Sequence, residues 1–240
     1  MVEKALRVNE IFKSIQGEGI EAGRVTCFIR FVGCDFKCPF CDSKHTWLCS
    51  DNDKVLTPME LFYEVEKLGV NHVTLTGGNP ALHGNNMKEF ILILKENGYK
   101  VSIETQGSVY RDWFYLLDCI TISPKFIKHH LTEETYIDNI NSIIDIANDY
   151  GIPVIIKTPI FDKDDLIKYK KFTSKLQGVF KRYLSVGNSW TNLTEEQGFT
   201  GLILDRYKKI IEWTLEDPSL KDVSVLPQIH TLVWENLQGV

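Results

Sequence analysis

A chain of 240 residues, 43% hydrophobic and 25% charged, is long enough to bury a sizeable core. Its 27 Lys and Arg are outnumbered by 32 Asp and Glu, so a formal net charge of −5 leaves no global basic footprint for nucleic acid. No apolar run approaches the ~18–20 residues of a membrane span, and the first residues lack a signal-peptide core. Six cysteines, four of them between Cys27 and Cys41, do not form the pattern of a secreted disulfide framework. The expectation is one domain over 1–240 in a reducing cytoplasm, with no direct role for nucleic acid or membrane.

In chain order, Leu6 to Lys13 partly alternates and reads as a short strand inside an N-terminal extension, 1–24. It leads into Gln16-Gly17-Glu18-Gly19, where two glycines bracket one carboxylate. Val25 to Phe31 is a β-branched and aromatic strand that ends just before Gly33-Cys34. Thr57, Pro58 and Glu60 spell a capped helix start, and that helix is predicted to run to about Leu68 and stop at Gly69. Strands follow at Val73–Thr76, Val101–Glu104, Ile120–Ile122, Val154–Lys157, Tyr183–Val186 and Val223–Leu226. Between them fall helices near Met87–Asn97, Arg111–Leu117, Thr132–Tyr150, Asp164–Lys175 and Gly201–Glu216. Strands alternating with helices argue for a parallel sheet. Six units rather than eight predict an α/β fold, a partial, open (β/α)6-type barrel. Asp51–Lys54 and Gly187–Phe199 are the longest polar connections, both read as surface loops and the second as a candidate lid.

Three cysteines, Cys34, Cys38 and Cys41, stand at C-x3-C-x2-C spacing in the loop after the first barrel strand. Such short loops turn successive thiolates toward a common centre. Three ligands are one too few for a closed four-cysteine iron–sulfur site, so a 4Fe–4S cluster here leaves one iron open to a small molecule. Zinc with His45 as a fourth ligand, or a set of buried free thiols, would also explain the cysteines. Parallel α/β folds bind ligands at the C-terminal ends of their strands. The cysteine loop, Gly77-Gly78-Asn79-Pro80, Thr105-Gln106-Gly107, Ser123-Pro124-Lys125, Lys157-Thr158, Gly187-Asn188 and Pro227-Gln228-Ile229-His230 all fall there. The paired glycines suit a ligand that hydrogen-bonds to the backbone directly.

The cysteine spacing followed by a Gly-Gly-x-Pro turn resembles the radical S-adenosylmethionine (SAM) enzymes. The Gln16–Gly19 start, Arg30-Phe31-Val32-Gly33-Cys34, Cys41-Asp42-Ser43, Glu104–Gly107 and the Leu226–His230 end are similar, within that superfamily, to the 7-carboxy-7-deazaguanine synthases of queuosine synthesis. The resemblance covers nearly the whole chain. It implies a 4Fe–4S cluster on Cys34, Cys38 and Cys41 whose open iron is chelated by SAM. It implies a 5′-deoxyadenosyl radical that takes hydrogen from C6 of 6-carboxy-5,6,7,8-tetrahydropterin, then ring contraction, loss of ammonia and return of the hydrogen.

By position, the resemblance also implies Mg2+ at Ser43. It implies SAM contacts from Phe40, Gly78, Asn79, Thr105, Gln106, Ser123 and Lys125, although many relatives carry glutamate where Asn79 stands. Pterin contacts follow for Gln16, Gly17, Glu18, Arg30, Thr76, Gln228 and His230, and for the terminal carboxylate of Val240 in a substrate-binding tail, 226–240. An electron donor such as flavodoxin or ferredoxin and a homodimer are implied as well. Two rival readings are a glycyl-radical activating enzyme, which shares the cysteine spacing, and a zinc-stabilised binding module, which leaves the other rim motifs idle. Of the other residues, Trp47 flanks the cluster loop as a shield. Cys27 and Cys119 are expected to be buried and Cys49 exposed, and His45, His83, His129 and His130 are placed on the surface.

Overall fold

A computed structural model describes residues 5–189, 198–237 and 239. Its strands are β1 (Leu6–Ile15), β2 (Val25–Phe31), β3 (Lys54–Leu56), β4 (His72–Gly77), β5 (Lys100–Thr105), β6 (Cys119–Ile122), β7 (Val154–Ile160), β8 (Lys181–Val186) and β9 (Val223–Leu226). Its helices are α1 (Pro58–Glu66), α2 (Gly84–Glu96), α3 (Glu133–Asp149), α4 (Lys163–Thr173), α5 (Phe199–Leu215) and α6 (Ile229–Trp234). All nine strands join one sheet in the order β3-β1-β2-β4-β5-β6-β7-β8-β9. From β2 to β9 every neighbouring pair is parallel, while β1 runs antiparallel to β2 and β3. Since β3 and β9 end the order and do not pair, the barrel is open.

Local chemistry accounts for the elements. At α1 the Thr57 hydroxyl accepts from the Glu60 amide at 3.3 Å while the Glu60 carboxylate accepts from the Thr57 amide at 2.8 Å. That reciprocal pair satisfies two amides that a helix start otherwise leaves open. Thr132 and Asp162 cap α3 and α4 in the same way, with one bond each. The face of α3 carrying Tyr136, Ile140, Ile143, Ile144 and Ala147 is buried, as its 3.6-residue spacing requires. Along β2 the period is two: Cys27, Ile29 and Phe31 are fully buried, while Phe28 and Arg30 face the barrel interior.

Four features depart from the sequence reading. Strand β3 was not predicted; it begins on the last residue of the polar Asp51–Lys54 connection, and its three residues pair with the edge of β1. Helix α6 occupies a tail read only as a binding segment. The helix near Arg111 is a 3-10 turn over Asp112–Leu116. Among the surface histidines, His83 is half-buried with its ring 5.2 Å from Phe31, and His129 stacks on Phe36 at 4.5 Å. His45 is half-buried too. Of the candidate lid, 190–197 lies outside the described residues. Cys27 and Cys119 are buried, and Cys49 is exposed.

Candidate active site

The C-terminal ends of the parallel strands surround one cavity, and Cys34, Cys38 and Cys41 all line it. Backbone contacts fix the cysteine loop. The Gly33 amide donates to the Thr46 carbonyl at 2.8 Å, and the Asn79 amide donates to the Gly33 carbonyl at 2.8 Å. Gly77 has φ +108°, and a Cβ on Gly78 would stand 2.0 Å from the Gly33 carbonyl oxygen. The missing Cβ of Gly78 therefore makes room for the cysteine loop itself, and only its backbone lines the cavity. Inside the loop, Phe36 stacks on the His129 ring at 4.5 Å and meets Tyr136 edge-on at 5.6 Å, and those two rings also touch at 4.9 Å.

Burial pushes the Cys34 thiol up to about 11 and raises Cys38 and Cys41 as well. Thiols held neutral this way are deprotonated when iron binds them. Three thiols lining one cavity, Cys38 buried and Cys34 and Cys41 half-buried, fit a 4Fe–4S cluster with one free corner. Among the described residues no three His, Cys, Asp or Glu side chains group to hold a single metal ion. His45 lies 3.7 Å from the Glu10 carboxylate.

Gly78, Thr105, Gln106, Ser123 and Lys125 line the same cavity beside the cysteines. The Lys125 ammonium donates to the Ser123 hydroxyl at 2.8 Å. Burial and the charge of Lys157 lower its pKa, against the pull of Cys38, Asp42 and Glu18. Two of the predicted SAM contacts lie off the cavity surface. Asn79 is fully buried, donating to Asp35 and Ser108 at 3.0 Å each and accepting from the Thr105 hydroxyl at 2.9 Å. It braces the wall from behind. Phe40 packs on Phe161 at 4.7 Å and does not line the cavity. Trp47 does line it.

The cavity also has a polar lining. Glu18 is 8% exposed, and its two carboxylate oxygens accept separately from Lys157 Nζ and Gln228 Nε2. Desolvation raises its pKa, but Lys157, His230 and Gln228 outweigh that and hold the carboxyl below its usual range. Lys157 is held above its usual range, since Glu18 and Glu104 outweigh the desolvation of the ammonium. Gln16 accepts from the Glu18 amide at 3.1 Å and donates to Glu104 at 2.8 Å, while the Thr76 hydroxyl donates to Glu104 at 3.0 Å. Arg30 places Nε 2.8 Å from Glu10 and Nη1 3.1 Å from the Ser43 hydroxyl, which donates to Asp42 at 2.7 Å. Asp42 sits at the open side of the cavity. Ser43, Arg30 and Lys157 keep its carboxyl low despite desolvation.

Gly17 serves packing: a Cβ there would meet His230 Nδ1 at 2.5 Å, and its carbonyl accepts from the Ile229 amide at 3.1 Å. The segment from Gln16 to Arg24 is thus tied to the start of α6. It is anchored again where Glu21 accepts from Ser102 at 2.6 Å and meets His72 at 3.1 Å. Val240 lies outside the described residues. Sequence reasoning put Lys157 and Glu104 on the rim but gave neither a role, and it assigned none to Asp42. The signal for Lys157 was its place in the strand pattern, with the side chain on the inner face of β7.

The Radical SAM superfamily model matches residues 28–166. The 7-carboxy-7-deazaguanine synthase of Bacillus subtilis (strain 168) is 39% identical to this chain, with 99% of each chain covered. That of Bacillus cereus is 40% identical, covering 97% of this chain and 98% of its own. Among solved structures, QueE from Escherichia coli shares the fold at a TM-score of 0.70 and 22% identity, covering 94% of this chain and 95% of that one.

Proposed function

The chain belongs to the radical SAM superfamily and, within it, to the 7-carboxy-7-deazaguanine synthases, and from that membership we infer that it converts 6-carboxy-5,6,7,8-tetrahydropterin to 7-carboxy-7-deazaguanine with loss of ammonia. The observation that carries the reading is that Cys34, Cys38 and Cys41 share one cavity with the paired carboxylate of Glu18. A 4Fe–4S cluster and SAM, when bound, supply the radical chemistry. Cys34, Cys38 and Cys41 hold the cluster, and the backbone at Gly78 with Thr105, Gln106, Ser123 and Lys125 orients SAM beside it.

Glu18 takes the amino edge of the pterin, with Gln16, Thr76, Gln228 and His230 fixing its position. Arg30, its guanidinium already turned toward Ser43, faces the substrate's carboxylate. Ser43 and Asp42 offer oxygens 2.7 Å apart, a donor set that suits Mg2+ retaining several waters. Family likeness supports a flavodoxin- or ferredoxin-type electron donor, a homodimer and a cytoplasmic setting; no helix among the described residues is long and apolar enough to cross a membrane.

The test is anaerobic turnover of reconstituted protein with SAM, reductant, Mg2+ and the carboxytetrahydropterin, read by mass spectrometry. 7-Carboxy-7-deazaguanine from the wild type, and none from Cys41→Ala, is the expected result. Methionine and 5′-deoxyadenosine without deazaguanine would refute the substrate.

A further inference from the structure

Glu18 has a partner that neither the sequence motifs nor the comparisons assign. Lys157 comes from the inner face of β7, 139 positions along the chain, and its ammonium donates to Glu18 Oε2 while Gln228 donates to Oε1. An ionised carboxylate has about four lone-pair sites, two on each oxygen. One donor on each oxygen leaves one further site on each. That pair of acceptors fits two adjacent N–H donors. Lys157 Nζ has three donors and spends one on Glu18, so a further N–H stands directly beside this acceptor pair. Read across the site, the order is acceptor, acceptor, donor.

A 2-amino-4-oxo pyrimidine ring carries the complementary edge: the 2-amino group, N3–H, then the 4-oxo oxygen. We propose that Lys157 is a specificity-determining residue that donates to the 4-oxo oxygen of the substrate while Glu18 takes the amino group and N3–H. This rests on the pterin reading above. The other cations in the cavity are engaged elsewhere: Arg30 by Glu10 and Ser43, and Lys125 by the Ser123 hydroxyl. Lys157 also lies inside the cavity with only 12% of its side chain exposed, so its ammonium competes little with water. Gln228, an amide, cannot replace it as a charged donor, and it occupies the other oxygen of Glu18.

The test measures equilibrium affinity of the holoprotein, with SAM and Mg2+ and without reductant, for two ligands. One is 6-carboxytetrahydropterin; the other is its 4-thioxo analogue, which keeps the amino group and N3–H but presents sulfur, a weak acceptor. The comparison is made in wild type, Lys157→Met and Lys157→Arg. A hydrogen bond to a charged donor corresponds to about 10- to 100-fold in affinity. The wild type should prefer the oxo ligand by about that factor. Lys157→Met should lose most of this preference, and Lys157→Arg should keep a preference of about tenfold or more. Taking the ratio of the two affinities within each protein cancels any change that the substitution makes in Glu18 or in overall folding. A ratio in Lys157→Met equal to that of the wild type overturns the inference alone. Failure of the wild type to bind either ligand overturns the pterin reading, and the inference with it.

Discussion

Replacing Gly78 by alanine tests whether the cysteine loop is held against the turn after β4. The new Cβ would stand 2.0 Å from the Gly33 oxygen, 2.6 Å from its carbonyl carbon and 3.2 Å from the Cys34 nitrogen. Carbon and oxygen rest at ~3.3–3.6 Å, so the loop must retreat by more than about 1 Å. Retreat stretches the 2.8 Å bond from the Asn79 amide to Gly33 and strains the 2.9 Å bond from the Gly78 amide to Phe31. Overpacking costs ~1–3 kcal/mol and one weakened hydrogen bond adds about 1 kcal/mol, giving roughly 2–4 kcal/mol. For a chain of this length that lowers Tm by roughly 4–16 °C. The iron and sulfide retained after reconstitution should fall as well, since Cys34 adjoins the displaced carbonyl. Calorimetry and iron analysis read the two effects. Gly201→Ala, in the first turn of α5 with nothing within 4 Å, is the control and should change Tm little or raise it. A Gly78→Ala protein with wild-type Tm and iron content would refute the packing argument.

Thr57→Ala removes the cap of α1 and should cost about 1 kcal/mol in denaturant unfolding, with SAM cleavage unaltered. Glu18→Gln bears on pH. A carboxyl whose folded pKa lies below its 4.5 reference stabilises the fold above that value and loses the contribution as pH falls through the lowered pKa. Glu18→Gln should therefore be less stable than wild type at pH 7, and the gap in unfolding free energy should close in acid. A gap that widens in acid would contradict the sign. Gly17→Ala pushes on His230 Nδ1 from 2.5 Å, so the KM for the pterin should rise while reductive SAM cleavage stays unchanged.

Much of the fold was legible because its signals are local. Strand β2 and strand β9 fall where their β-branched runs begin and end, and the Thr57-Pro58-Met59-Glu60 cap opens α1 as spelled. Strand β3 was not legible. Only Leu56 of its three residues packs against the core, too short a pattern to read as a strand, and pairing with β1 makes it one. The site was legible as a rim of unusual loops, and the superfamily motif assigned the cysteines. Its partnerships were hidden, since Lys157 meets Glu18 only through strand order, and no local pattern records a pairing across the sheet. Asn79 shows the converse: a position matched to a cofactor contact is filled here by an amide whose bonds all go to Asp35, Ser108, Thr105 and Ala81.

The proposed function divides one cavity into two separable halves, thiolates for the cluster and Glu18 for the pterin. Its most direct measurement compares wild type, Cys41→Ala and Glu18→Gln after reconstitution, recording SAM cleavage under reductant and pterin affinity for each. Cys41→Ala should lose SAM cleavage and keep measurable pterin binding. Glu18→Gln should keep its iron and its SAM cleavage and bind the pterin at least about tenfold more weakly. Wild-type pterin affinity in Glu18→Gln, or SAM cleavage surviving in Cys41→Ala, would contradict that division.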